Sequence, residues 1–270
     1  MSDYRFDRAE EMWDHCGDHY DNCFDDHWWG SCGWGHGHYG CGHYPCNPWW
    51  WWAPVTIAAV AGFCDAVTPD PVYVDYGMTV IYEGETVYVD NKPMPAAEYS
   101  GPVIAKAAEI EQPPPPTPPK VEDTGKEIVA TPDKPAAEEW MSLGIFALAQ
   151  EKKGDPVALF QISVNKEGTI SGGYQNALTS DKHPIAGTID KATQIAAWRV
   201  GDNKDTIYTT SPANLTQDVC TVAIHFGQDR VQEWLLVRMP APQGSGAGAK
   251  PPELNRKLPP QTPVPVPKKN

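Results

Sequence analysis

The sequence contains no uncharged apolar run long enough to cross a bilayer as a helix. The longest run, residues 49–64, has 16 residues and includes Pro54 and Gly62, whereas a spanning helix needs about 20. We interpret it as a buried or interfacial segment, with a membrane-surface role as the alternative because its tryptophans suit a headgroup boundary. Since acids and bases alternate at the start of the chain, we expect no cleavable export signal in it.

Basic residues are scarce. The chain has 21 Lys and Arg against 35 Asp and Glu, for a formal net charge of −14. A duplex-binding protein gains affinity by neutralising phosphates with Lys and Arg. This charge balance therefore disfavours polyanion binding, and we expect no nucleic-acid partner.

Motifs of familiar enzymes are also missing, with no nucleophile elbow, P-loop or H-E-x-x-H. Residues 35–40 match G-x-G-x-x-G, but no apolar strand precedes them, so they carry no dinucleotide prediction. Cys220 shares a strand face with apolar residues and is predicted to be a core residue. With His183 in a loop and His225 on a strand, we expect a non-enzymatic protein without a cofactor.

Proline is abundant but unevenly distributed. Of 28 prolines, 14 fall in residues 53–139 and 8 in 241–270, while 140–240 holds only 4. We therefore divide the chain into an aromatic segment 1–52, an apolar and β segment 53–99, a Pro-rich spacer 100–139, a β domain 140–240 and a basic disordered tail 241–270.

The first 52 residues concentrate 8 of 11 Trp, 6 of 8 His and 5 of 7 Cys. Residues 3–29 are predicted to form one amphipathic helix with Ser2 as its N-cap, followed by an irregular stretch. Its apolar positions recur at helical spacing: Phe6, Trp13, Gly17, Tyr20, Phe24 and Trp28.

Metal-ligating side chains recur every four residues on this helix and continue beyond it. The candidates are His15, His19, Cys23, His27, Cys32, His36, His38, Cys41, His43 and Cys46. Imidazoles at i and i+4 can share a transition-metal ion, so zinc or another transition metal is the hypothesis here. No C-x2-C pair is present, and the alternative is a low-complexity packing or stacking surface.

Residues 71–90 alternate β-branched or aromatic residues with polar ones and are predicted to form three short antiparallel strands. Their breaks are at 76–77 and 83–85. Residues 100–139 are predicted to be a stiff polyproline spacer.

The β domain contains eight apolar or alternating runs, near 141–150, 157–164, 169–174, 185–189, 194–200, 205–210, 219–226 and 231–239. Short turns make consecutive strands antiparallel neighbours, so a meander that closes into a barrel is favoured over a sandwich. We expect Phe160, Trp198 and Phe226 to point inward and fill the barrel. The polar residues between the apolar ones should face water, namely Gln161, Ser163, Arg199 and His225.

The chain also resembles a family of planctomycete proteins known as protocadherin-like or mu-protocadherin cell-surface proteins. The resemblance lies in residues 25–29, 73–77, 140–148, 165–168, 170–174, 189–194, 214–218 and 231–238. It implies a cell-surface or envelope location and no catalytic residue, and it does not imply cadherin repeats, whose acidic calcium motifs are missing from this sequence.

We therefore predict a mainly β, non-enzymatic structural or binding protein of the cell surface or envelope. Its partner would be a protein, a membrane surface or an envelope component. The alternatives are a transition-metal-binding protein that uses the N-terminal His and Cys residues, and a barrel that binds a small ligand.

Overall fold

Short polar turns separate the apolar runs of the β domain, and in the computed structural model each of these runs is a strand. The structure describes residues 3–19, 52, 54–116, 139–150, 154–227, 230–240 and 263–266. Before the β domain lie α1 (Asp3–His19), α2 (Ile57–Phe63), β1 (Val80–Glu83), β2 (Thr86–Val89), β3 (Lys92–Pro95), α3 (Ala96–Tyr99) and α4 (Gly101–Glu109).

Eight antiparallel strands then form a closed barrel in meander order. They are β4 (Trp140–Ala149), β5 (Ala158–Asn165), β6 (Thr169–Asn176), β7 (Lys182–Asp190), β8 (Ile195–Val200), β9 (Thr206–Thr210), β10 (Val219–Phe226) and β11 (Arg230–Arg238). The last strand pairs with the first, with Leu236 opposite Leu148. The predicted eight-stranded antiparallel barrel is therefore confirmed.

Side chains fill the middle of the barrel, as the alternation along the strands predicts. Phe160 and Trp198 are fully buried, and their rings meet edge to face at 5.9 Å. Tyr208 stacks on Trp198 at 5.8 Å. Phe226 also packs against this interior cluster, as expected, but it is half-buried and lies at one end of the barrel rather than in its centre.

One end of the barrel, here called the base, holds the ends of β5, β7, β9 and β11 and is closed by other parts of the chain. Thr56 caps the N-terminus of helix α2, and its hydroxyl accepts from the Ala59 amide. The helix buries Val60 in the same cluster as the barrel interior. The chain after α2 is tied to the base, where the Asp65 amide donates to the Lys166 carbonyl at 2.8 Å.

A buried arginine completes the base. Arg238 donates to the Leu143 carbonyl at 2.7 Å and to the Leu215 carbonyl at 2.6 Å. Burial lowers the pKa of Arg238 to about 10, with Asp218 acting in the opposite direction, so it stays charged at neutral pH. Gly144 has a φ of +126°, and a Cβ there would lie 2.1 Å from the Arg238 Nη1. Only glycine leaves room for this guanidinium.

The outer face of the barrel is covered, and the expectation that it faces water is wrong. Gln161, Ser163, Arg199 and His225 are all buried. Helix α1 packs Phe6, Ala9 and Met12 against apolar side chains of β4, β10 and β11. The small sheet β1–β3 and α4 pack against the outward residues of β8, β9 and β10. A covering segment supplies a partner for Arg199, which donates to the Ile110 carbonyl. Gln161 donates to Ser163 on its own strand, and His225 bonds to Thr209 on the neighbouring strand.

The predicted strands of residues 71–90 are shifted along the chain. The third strand is β3, beyond the predicted range, and residues 71–75 do not join this sheet. They lie against the barrel instead, where the Asn214 side chain accepts from the Val74 amide at 3.1 Å and donates to its carbonyl at 2.7 Å. The side-chain amide of Asn214 thus replaces a neighbouring strand.

The Pro-rich segments are not spacer throughout. Residues 101–109 form α4, and the chain after it crosses the barrel wall, where Gln112 donates to the Ile185 carbonyl at 3.0 Å. In the tail, Val264 is buried and its amide donates to Asp90 at 3.2 Å. The spacer and disordered-tail interpretations are therefore wrong at these positions, because apolar residues among the prolines pack on the barrel. Residues 117–138, 241–262 and 267–270 lie outside the described residues.

Within the described parts of the chain, no helix combines the length and apolar character needed to span a membrane.

Candidate functional site

The end of the barrel opposite the base, here called the mouth, holds a cavity of about 480 Å³. It lies where β6, β8 and β10 end and β7 and β9 begin. Cavities that bind small molecules commonly measure roughly 300–1,000 Å³. The volume is therefore sufficient for a compact organic molecule, and we call this space the mouth cavity.

Aromatic side chains form the apolar part of the mouth cavity. Tyr174, Tyr208 and Phe226 line it. Phe160 lies below them, with its ring centroid 5.1 Å from that of Tyr208 and 5.3 Å from that of Tyr174. Because these rings also pack against Trp198 in the barrel centre, the aromatic wall rests on a filled interior.

Two asparagines shape the rim. The Asn176 side chain accepts from the Leu178 and Thr179 amides at 2.9 and 3.0 Å. The Asn203 side chain accepts from the Asp205 and Thr206 amides at 3.0 and 3.1 Å. Asparagine favours such turns because its side chain can replace a backbone acceptor. Both rim loops are thus held by their own side chains.

The loop between β8 and β9 is also held from outside the barrel. Arg199 donates to the Gly201 carbonyl and, at 2.9 Å, to the Ile110 carbonyl. Lys204 pairs with Glu109 of α4, with 2.8 Å between Nζ and Oε2. The segment predicted to be a spacer therefore supports one side of the mouth.

Acidic groups dominate the charged lining. Of the described residues that line the mouth cavity, Asp181 and Asp202 are acidic and none is Lys or Arg. Burial is the main cause that raises the pKa of Tyr174; a hydrogen bond from Asn176 opposes it and the charge of Asp181 adds to it. The negative charge of Asp181 therefore acts on the Tyr174 hydroxyl, which belongs to the aromatic wall.

The Tyr208 hydroxyl has no hydrogen-bond partner among the residues that the structure describes, although only 9% of the residue is exposed. Burial is the main cause that raises its pKa well above the ordinary tyrosine value, so the hydroxyl is neutral. The hydroxyl is not one of the fully buried polar atoms that lack a partner, so it stays in contact with solvent in the mouth cavity.

The two histidines of the barrel lie in different environments. His183 belongs to β7 rather than to a loop and lines the mouth cavity, with its ring 6.2 Å from that of Tyr174. His225 lies outside the barrel, beneath β1, where its Nε2 is 2.9 Å from the Thr209 hydroxyl. Cys220 points into the barrel core, and burial raises its pKa to about 12, so it is a poor nucleophile at neutral pH.

The proposed metal ligands cannot be compared with the structure. His15 and His19 belong to α1, but their side chains are not among those described. Cys23, His27, Cys32, His36, His38, Cys41, His43 and Cys46 lie outside the described residues, as does the predicted continuation of the helix to residue 29. The described residues contain no group of three or more potential ligands. The metal site stays a prediction.

The mouth cavity was not predicted from the sequence: of its lining residues, His183 was assigned to a loop and Phe226 to the barrel filling. Their signal lies in the strand order, because a meander brings every second turn to the same end of a barrel. The turns at 177–181 and 201–205 are therefore neighbours, and the strand residues beside them must line one opening. What a sequence pattern could not show is that this end stays open.

Comparisons with protein-family models, with curated proteins and with solved structures found no match. The resemblance to the protocadherin-like family stays a prediction.

Proposed function

We propose that this protein is a non-enzymatic binding protein whose barrel takes a small organic ligand in the mouth cavity. The observation that carries the proposal is the contrast within one cavity between aromatic walls, formed by Tyr174, Tyr208 and Phe226, and a polar rim. Binding sites for small molecules combine a mainly apolar surface with a few placed polar groups.

Two features support ligand binding rather than a purely structural role. The rim loops are held by Asn176 and Asn203, so little conformational entropy is lost when a ligand binds. The Tyr208 hydroxyl, without a partner among the described residues, offers a polar contact inside an otherwise aromatic space. A cell-surface or envelope location, implied by the resemblance, remains part of the proposal.

The test is a fragment screen by amide NMR on the full chain. We expect fragments that bind to shift the amides of residues 174–183 and 200–208 and to leave those of 214–218 at the base unchanged. Val200 is half-buried and lines the cavity, so Val200→Trp should fill the space and abolish the shifts. If Val200→Trp does not fold, Thr206→Trp should fill the same space from the neighbouring strand.

A matched control adds the same side chain elsewhere. Glu83→Trp places an indole on the exposed end of β1 and should leave fragment binding unchanged. If no fragment shifts the mouth amides at millimolar concentration, the proposal is wrong. It is equally wrong if Val200→Trp and Thr206→Trp bind the fragments as the parent does.

A further inference from the structure

The chemical class of the ligand follows from the charges and the rings that line the mouth cavity. We infer that the mouth cavity selects a protonated organic amine, with its apolar body against Tyr174, Tyr208 and Phe226 and its ammonium group facing the carboxylates of Asp181 and Asp202. This inference rests on the proposed function and deepens it.

The first support is the sign of the charges. Asp181 and Asp202 line the cavity from two different rim loops, so a molecule entering between them meets a carboxylate on each side. Arg230 lies on the Phe226 ring, but the two lysines near the rim are directed elsewhere. Lys204 pairs with Glu109 on α4, and Lys182 precedes the lining residue His183, so strand alternation turns its side chain the opposite way.

The second support is the aromatic wall. Ring faces carry partial negative charge and attract cations, more strongly where solvent is excluded. The protein already uses this attraction at the mouth, where the Arg230 guanidinium lies 4.2 Å from the centroid of the Phe226 ring. The carbon atoms next to the ammonium group carry part of its positive charge and would meet the Tyr174 and Tyr208 rings in the same way.

The third support is the Tyr208 hydroxyl. Its oxygen has no hydrogen-bond partner among the described residues and is not fully buried, so a ligand in the mouth cavity can reach it. A phenolic oxygen can accept a hydrogen bond from an ammonium N–H. An amine that carries at least one N–H therefore satisfies a polar atom that no described side chain satisfies.

The test compares ligands that share one ring and differ in charge: benzylammonium, benzyl alcohol and benzoate, each titrated into the full chain while the mouth amides are followed by NMR. We expect benzylammonium to bind at least about tenfold more tightly than benzyl alcohol, and benzoate to bind most weakly. The preference should shrink with added salt, since the rim carboxylates are exposed to solvent.

Two sets of variants separate the contributions. The double variant Asp181→Asn with Asp202→Asn should reduce benzylammonium affinity to that of benzyl alcohol. Asp205→Asn, which removes one charge from the rim loop of Asp202 but not from the cavity lining, is the control for the loss of a rim charge. Tyr208→Phe should weaken benzylammonium severalfold and leave benzyltrimethylammonium, which has no N–H, unchanged.

Equal affinity for benzylammonium and benzyl alcohol would overturn the inference, and so would a preference for benzoate. In both cases the shifted mouth amides would still support the proposed small-ligand site. If none of the three ligands shifts these amides, the inference is also wrong, and the fragment screen then decides whether the cavity binds any small molecule.

Discussion

The base and the mouth of the barrel are both made of strand ends joined by turns. Other segments of the chain cover the base but leave the mouth open. At the base, α2 and the turn around Leu215 close the opening, and Arg238 donates to two backbone carbonyls there. At the mouth, the asparagine side chains bond within their own loops, and the Tyr208 hydroxyl has no partner among the described residues. The comparison shows that the polar groups of the base join separate segments of the chain, whereas the asparagines of the mouth bond within their own loops.

The largest expected effect is the removal of the buried arginine at the base. Arg238→Ala leaves the Leu143 and Leu215 carbonyls without their charged donor. Hydrogen bonds to charged groups are worth roughly 1.5–3 kcal/mol each, so we expect the free energy of unfolding to fall by about 4 kcal/mol. Denaturant titration measures this loss.

The matched change at the mouth is Arg230→Ala. Arg230 is exposed and stacks on Phe226, so its loss should cost less than about 1 kcal/mol. Similar losses for the two variants would contradict the contrast between a structural base and an open mouth.

An effect of intermediate size is expected on the pH dependence of the free energy of unfolding. It distinguishes the covered outer wall of the barrel, where His225 lies, from the mouth. Burial lowers the pKa of His225 from 6.5 to about 4, because its ring is enclosed between Thr209 and the Tyr82 ring. Between these pH values the unfolded chain binds more protons than the folded protein, so stability falls as the pH drops. A difference of 2.5 pKa units corresponds to about 3 kcal/mol.

Denaturant titration across pH 4–7 on three proteins measures this loss. His225→Gln cannot be protonated and should lose less stability toward acid than the parent. His183→Gln, at the exposed rim of the mouth, should follow the parent. If His225→Gln and the parent have parallel pH profiles, the buried neutral histidine does not control acid stability.

The smallest expected effect compares two tyrosine hydroxyls. The Tyr76 hydroxyl lies 3.1 Å from the Thr209 hydroxyl under the small sheet, so Tyr76→Phe should cost about 1 kcal/mol. Tyr208→Phe removes a hydroxyl without a described partner and should leave stability equal or slightly higher. A loss from Tyr208→Phe as large as that from Tyr76→Phe would mean that the mouth hydroxyl serves stability instead of binding.

The interior of the barrel was predictable, and its surroundings were not. Alternation places Phe160 and Trp198 on one face of their strands whatever lies outside, and short turns force neighbouring strands to pair. The same alternation made Gln161 and His225 look exposed, because a polar residue beside water and a polar residue beneath a covering segment follow the same pattern. The covering segments are more than 50 residues away in sequence, as Ile110 is from Arg199, so no local pattern reveals them.

The candidate site, like the surroundings of the barrel, could not be predicted from local sequence patterns. The sequence pointed to histidines and cysteines at helical spacing, since metal ligation is a property of residue type that can be seen without a fold. The mouth cavity depends on Tyr174, Tyr208 and Phe226, which belong to three different strands. Each of them alone resembles an ordinary core aromatic.

The amino-acid sequence by itself thus determined the strands, their meander order and their inward face, because these depend on turn residues and on a period of two. Only the tertiary structure decided which end of the barrel is closed. Closure depends on where α2 and the segment after α4 pack, and their apolar residues could have been buried against any surface that offers complementary shape and hydrogen-bond partners. Because that packing covers the base and only supports the rim, the mouth keeps an aromatic cavity with acidic residues at its edge.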